Sequence, residues 1–356
     1  MASKYSVLAG ILREELLRGG ISGGYKFPTE AELARRYRMS RQTVRHAIQL
    51  LVEEGLVATR QGSGIYATGK PVDIASRQVA VITSFLDDYI FPTVLHDAQT
   101  VFAQEGYSTL VFSTENEVMR EREILCKLLL EPVRGILVEG AKTALPSPNI
   151  DLYQKLRQAD IPIVFLHGAY AELAGVPCVC DDNYGGGYQL ARYLIEKGHK
   201  NIAGIFKSDD IQGPQRYHGV VCALRDADLP IRDDSFRWYD THDRTVLLHH
   251  RDPELLRHLL DPQASASTAV ICYNDEIAYL LVQTLLSMKI RVPEDMAVVS
   301  FDNSYYSQIG STPITSLCHR NNKMGHVAAE QLIHMFQGLG GSSHALGWEL
   351  MERASS

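Results

Sequence analysis

Two sets of residues in this chain have types and spacings that could do chemistry. The first is the run Ser40-Arg41-Gln42-Thr43-Val44-Arg45. Arg41 and Arg45 are four apart, so on a helix they share one face. An arginine fork can grip guanine O6 and N7, a glutamine amide can pair with adenine, and a threonine methyl can touch that of thymine. Val44, Ile48, Leu51 and Val52 can pack on the other side. Arg35, Arg36 and Arg38 are placed for phosphates, and Arg60-Gln61-Gly62-Ser63-Gly64 offers one cation, one amide and bare backbone to a minor groove. The second set follows strand-like apolar runs. It comprises Asp87-Asp88-Tyr89-Ile90-Phe91, Glu139, His167-Gly168-Ala169-Tyr170, Lys207 with Asp209, Asp210 and Gln212, Tyr273-Asn274-Asp275, and Asp302-Asn303, with Arg216 opening a helix. Planar charged groups bridge neighbouring sugar hydroxyls, and aromatic faces cover the apolar side of the ring. Any one of these residues alone would read more simply as a loop polar group or a cap. Six strand ends of one character point to a polyol or sugar rather than a fatty ligand.

The patterns of common enzymes are missing. There is no GxSxG elbow and no GxxxxGK[ST] phosphate loop. Gly185-Gly186-Gly187 lacks the GxGxxG spacing and reads as a site of close approach at a helix start. His249, His250 and His258 lack the glutamate of HExxH. The adjacent pairs Asp87-Asp88, Asp181-Asp182 and Asp209-Asp210 point in different directions on strands, so no carboxylate dyad follows. Six cysteines without a CxxC indicate neither a disulfide framework nor a zinc site. No run reaches the ~20 apolar residues of a membrane helix. Met1 to Arg18 has Glu14 and Glu15 inside an amphipathic pattern and lacks the core of a signal peptide. These features lead us to expect a cytoplasmic protein that is not an enzyme, with no cofactor, no metal and no membrane contact.

The elements that must position these residues differ along the chain. Residues 1–70 hold eleven lysines and arginines against six acids, a net +5, whereas the whole chain of 356 residues carries −7. A small basic module on an acidic body is the asymmetry expected when only the head meets a polyanion. The head reads as three helices and a hairpin. Tyr5, Leu8, Ile11, Leu12 and Leu16 line the first helix, and Thr29 with Glu32 forms a capping box for the second. Ser40 caps the third, which Gly55 stops, and short strands flank the tip at residues 60–64. From residue 78 on, apolar strands alternate with helices. The strands are expected at 79–83, 109–112, 135–139, 162–166, 201–206, 268–273 and 297–301. Continuous apolar strands signal parallel sheets covered on both faces, and so many of them over about 280 residues indicate two lobes.

The segment "KFPTEAELARRYRMSRQTVRHAIQLLVEEGLVATRQGSGIYA" resembles the winged helix-turn-helix of GntR-type bacterial regulators. That resemblance implies that Glu30, Arg41, Gln42, Thr43, Arg45, Gln61 and Gly62 face DNA. "DDNYGGGYQLARYLIEKGHKNIAGIF", "TAVICYNDEIA" and "VPEDMAVVSFDNS" resemble the LacI-type, periplasmic-binding-like regulatory domain, in which the positions of Arg216, Asn274 and Asp302 hold sugar hydroxyls. "DDYIFPTVL", "HGAYAELAGVP" and "KSDDIQGPQR" further resemble the arabinose-responsive GntR–LacI hybrid repressors of Gram-positive bacteria. This adds Asp88, Tyr89, Glu139 and Lys207 to the effector site and implies L-arabinose as effector. Gly69–Ser76, with Pro71, departs from LacI-type proteins in showing no hinge helix.

The expected architecture is multidomain. A small winged helix-turn-helix domain (1–69) and a linker (70–76) precede a two-lobed α/β, type I periplasmic-binding-protein-like domain with parallel sheets (77–356). The expected partners are operator DNA, a sugar effector and a second copy of the chain. The residues alone leave open another pentose or a purine as effector, a free carbohydrate-binding protein, and a sugar-acting α/β enzyme.

Overall fold

The structure is a computed structural model that describes residues 5, 8–12, 25–53, 56–60, 64–68, 77–86, 89–250, 267–319 and 323–356. The chain divides into two compact units, Met1–Ile74 and Ala75–Ser356.

In the first unit, Thr29 starts the helix Glu30–Arg36 with a reciprocal capping box. Its hydroxyl accepts the Glu32 N–H at 3.3 Å, and the Glu32 carboxylate accepts the Thr29 N–H at 2.7 Å. Ser40 accepts the Thr43 N–H at 3.1 Å at the start of the helix Arg41–Glu53. Leu33, Val44, Ala47, Ile48 and Leu51 pack with Leu8, Leu12, Phe27 and Ile65 in one small core. Val52, expected to be buried, is exposed; it follows Leu51 by one position and so lies about 100° round the helix. Tyr5 and Ile11 are likewise half-exposed, while Leu16 lies outside the described residues. The wing is an antiparallel pair, β1 (Val57–Arg60) and β2 (Gly64–Ala67), with Arg60 opposite Gly64. Gly64 has φ 122°, which favours glycine there.

The second unit holds two six-stranded sheets. The first contains β3 (Gln78–Thr83), β4 (Ser108–Ser113), β5 (Gly135–Val138), β6 (Ile163–Leu166), β7 (Cys178–Asp181) and β13 (His344–Leu346). Its order is β13-β7-β6-β5-β3-β4, and every pair is parallel. The second contains β8 (Ile202–Lys207), β9 (Phe236–Tyr239), β10 (Ala269–Cys272), β11 (Ala297–Phe301), β12 (Thr315–Cys318) and β14 (Glu349–Met351). Its order is β14-β12-β11-β10-β8-β9, parallel except where β14 meets β12. β5, β6, β8, β10 and β11 are buried at every position, which is why they read as unbroken apolar runs. The chain crosses between the lobes after β7, after β12 and between β13 and β14.

The helices Asn183–Glu196 and Gln212–Asp226 pack in close contact. A Cβ on Gly187 would collide with the Arg216 carbonyl, and one on Gly219 with the Tyr184 carbonyl. The triple glycine at 185–187 thus permits close approach at a helix start, and it positions Arg216.

Candidate functional site

Within each sheet the strands that end at the cavity are parallel, so their C-terminal ends gather on one side, where ligands bind in open α/β sheets. The ends of β3, β5 and β6 supply Ser84, Phe85, Glu139 and His167. The ends of β8, β9, β10 and β11 and the turns after them supply Lys207, Asp210, Gln212, Tyr239, Tyr273, Asn274 and Asp302, and the helix Thr241–Thr245 supplies Arg244. Together they line a cavity between the lobes.

Arg216 is the largest fully buried side chain there. Its Nε donates to Asn183 Oδ1 at 3.0 Å, its Nη1 donates to the Tyr273 carbonyl, and its Nη2 lies 3.5 Å from Asp181 and from Asp302. The guanidinium also sits 4.2 Å over the Phe301 ring. Lys207, buried, donates to Asp209 and Asp210 at 2.6 Å each and to Thr241 at 3.0 Å. Burial opposes its charge, but the two carboxylates raise its pKa above the ordinary lysine value. Glu139 accepts the Ser84 N–H at 2.7 Å; burial raises its pKa, and His167 opposes that shift. Asn274 caps its helix by accepting the Ile277 N–H at 3.1 Å while facing the cavity.

The lobes interlock around this cavity. Tyr89 donates to Asp302 Oδ2 at 2.6 Å, and burial with the Asp302 charge pushes the phenol well above its usual range. Asn116 donates to Asp210 at 3.0 Å and Thr241 at 2.7 Å, and the Arg244 guanidinium lies 4.4 Å over the Phe85 ring. Tyr89, Asn116, His167 and Asp302 all have φ between 56° and 91°, so strained backbone gathers where the lobes meet. His319 ties the three crossings. One ring nitrogen is 2.9 Å from Asp181, the other 2.8 Å from the Gly347 carbonyl, and the ring stacks on Trp348 at 3.8 Å.

In the N-terminal unit, Arg41 and Gln42 are exposed at the start of their helix. The Thr43 hydroxyl lies 2.8 Å from Ser40 Oγ. Arg45 does not stand alone: its Nε and Nη2 grip the two Glu30 carboxylate oxygens at 3.1 and 3.0 Å. Glu30 is thereby placed beside the exposed face of the helix Arg41–Glu53 that carries Arg45. Gln61 and Gly62 lie outside the described residues, as does Asp88 of the effector set.

Residues 4–67 match the gntR family of bacterial regulatory proteins, and residues 191–356 match the periplasmic binding protein-like domain. The arabinose metabolism transcriptional repressor of Geobacillus stearothermophilus is 34% identical over 333 residues, spanning 92% of this chain and 90% of that protein. Its counterpart from Halalkalibacterium halodurans is 33% identical over 339 residues, spanning 94% and 89%. The chain belongs to this repressor family. Its fold is also that of the transcriptional regulator CelR solved with cellobiose, with a TM-score of 0.68 at 23% identity over 93% of this chain and 100% of that one.

The relatives this chain matches are transcriptional regulators. No group of His, Cys, Asp and Glu among its described residues could hold a metal, and no described helix is long and apolar enough to cross a membrane. Of the seven effector residues read from the sequence, Tyr89, Glu139, Lys207, Arg216, Asn274 and Asp302 line the one cavity. Phe85, Tyr239 and Arg244 line it too but were not among the residues read. Arg244 comes from a helix, where it is held by Glu276 at 2.8 Å, so no strand-end signal marked it. Two residues of the strand-end clusters serve elsewhere. Tyr170 donates into the first lobe's core, to Glu121 and the Ala141 carbonyl. Asp275 accepts from Ser300, Ser304 and Ser316, and burial pushes its carboxyl up to about 7.

Proposed function

We propose that this repressor is a cytoplasmic homodimer that holds operator DNA through its winged heads and releases it when L-arabinose binds between the lobes. The carrying observation is a cavity at the strand ends whose polar wall comes from both lobes at once. Its described lining sets three carboxylates (Glu139, Asp210 and Asp302) against the permanent cations Lys207, Arg216 and Arg244. A balanced wall of fixed donors and acceptors suits a neutral polyol better than a sugar phosphate or an acid. Phe85, Phe91 and Tyr273 supply aromatic faces for the apolar side of a pentose. A ligand that touches both lobes favours the closed arrangement by its differential affinity for it. The names of the relatives direct the choice of pentose to L-arabinose.

Calorimetry of the full chain against L-arabinose, D-xylose, D-ribose and hypoxanthine tests the effector. Fluorescence anisotropy of labelled operator, with and without each compound, tests the response. Tight L-arabinose binding with loss of operator affinity is expected. Binding of hypoxanthine alone would overturn the sugar reading.

A further inference from the structure

His167 is the buried polar group of the cavity that the contacts above leave unexplained. It follows β6, and its main-chain N–H is tied to the Val179 carbonyl at 2.9 Å with φ 61°, so its backbone is pinned by β7. The ring stands edge-on to Phe91 at 6.3 Å and lines the cavity with Glu139, Arg216 and Asp302. Neither Nδ1 nor Nε2 has a hydrogen-bond partner among the described residues. Nδ1 lies 3.7 Å from Asp181 Oδ2, beyond hydrogen-bond reach. A buried ring nitrogen without a partner is a costly arrangement, and one that persists in a binding cavity calls for a function.

Charged and titratable groups face this ring from several elements: Glu139 after β5, Cys180 and Asp181 in β7, and Asp302 after β11. We propose that the His167 imidazolium is a specificity-determining contact that donates a hydrogen bond to an oxygen of the bound sugar. This rests on the sugar-sensor reading above. An imidazolium has two donors and no acceptor, so the ligand must present a hydroxyl or ring oxygen at that wall. A cationic amino group there would be repelled.

Burial alone would lower the proton affinity of His167. Asp181, Glu139 and Asp302 outweigh burial and raise the pKa to about 9. The charged donor is therefore complete below the ordinary histidine value of 6.5 and is lost as pH rises through about 9. The test is calorimetric titration of the full chain with L-arabinose from pH 6.5 to 10, in wild type, His167→Gln and His167→Ala. Wild-type affinity should fall as pH approaches and passes 9. His167→Gln keeps an amide donor that does not titrate, so it should bind a few-fold more weakly at pH 7 and lose that alkaline fall. His167→Ala should lose roughly ten- to a hundredfold. Operator affinity without sugar should be unchanged in both variants. If His167→Ala does not fold, the pH profile of His167→Gln decides alone. Equal affinities and profiles in wild type and His167→Gln would overturn the assignment of His167 and leave the sugar reading standing. A wild type that gives no heat with L-arabinose would overturn the sugar reading and this inference together.

Discussion

Arg45 is the residue whose setting the structure changes most. On sequence it shares a reading face with Arg41, but it arrives there already clamped by Glu30 through Nε and Nη2, one edge of its guanidinium. The pairing orients a planar fork, which is what bidentate base contact requires. Alanine at Arg41 or Arg45 is expected to weaken operator binding about ten- to a hundredfold more than binding to scrambled duplex. Alanine at Arg35 should weaken both duplexes alike and lower the salt dependence. Competition binding on the two duplexes separates these outcomes, and equal losses for Arg41→Ala would make Arg41 a phosphate contact. In the body, two residues at the same cavity demand different substitutions. Arg216→Ala leaves Asp302 buried without its cation and Asp181 with only His319 and Gln212 in hydrogen-bond reach, which should cost roughly 3–5 kcal/mol of stability and confound any binding loss. Asn274→Ala removes a cap as well as a cavity contact, at about 0.5–2 kcal/mol. Asn274→Ser keeps a capping oxygen but withdraws the amide from the cavity. It should melt within a few degrees of wild type, bind operator normally and respond poorly to sugar.

At the level of elements, the close pair of helices Asn183–Glu196 and Gln212–Asp226 decides where Arg216 can be. The pair approaches through glycines, and Gly187 lies against the Arg216 main chain itself. Gly187→Ala should therefore force the helices apart, destabilise the body by roughly 1–3 kcal/mol and weaken sugar binding more than any surface glycine change. Gly198→Ala or Gly175→Ala does not control for this, since both positions have φ near 90°, whereas Gly347 has open space and serves. Denaturant melts and calorimetry on the Gly187 and Gly347 variants compare the two directly. A Gly187 variant as stable and as tight as the Gly347 variant would show that helix spacing does not set the site. The three lobe crossings form the other decisive element. His319 donates toward both the Asp181 carboxylate and the Gly347 carbonyl, an arrangement that suits a protonated ring. Burial disfavours that charge, but Asp181 raises the His319 pKa above its ordinary value.

Across the whole molecule, the basic head and acidic body divide the work of binding DNA and sensing sugar. A single winged module offers little contact area, and two half-sites raise affinity through effective concentration. The body is thus expected to sediment as a dimer at micromolar concentration, and a monomer there would remove the basis for two-headed binding. If sugar lowers operator affinity, operator must lower sugar affinity by the same factor. Titrating L-arabinose into the full chain with and without saturating operator measures that factor. Identical sugar affinities would show that the cavity and the heads are not coupled.

Much of this protein was legible in its residues because the signals are local. The capping box at Thr29 and Glu32, the Ser40 cap and the Arg41–Arg45 spacing each depend on neighbours within four positions. Of the seven strands read from apolar runs, β5, β6, β8, β10 and β11 are buried at every position and leave an unbroken apolar trace, while β3 and the edge strand β4 read as strands without full burial. β7, β9 and β12, four residues each with polar or half-exposed members, were not read. β13 and β14 are edge strands of three residues with polar members, and no local pattern marks them. Strand direction explains why Tyr89, Glu139, Lys207, Asn274 and Asp302, which the resemblance also pointed to, follow strands: in a parallel sheet every C-terminus opens on one side, whereas Arg216 stands on a helix. What the tertiary structure alone decided is partnership at a distance. Arg45 meets Glu30, Arg244 enters the cavity from a helix, Tyr170 turns away into a core, and His319 joins three crossings. These pairings join residues 15 to 138 positions apart, and a sequence carries no distance information at that range. Only the folded packing brings such groups within reach, and the low dielectric of the interior makes their meeting matter.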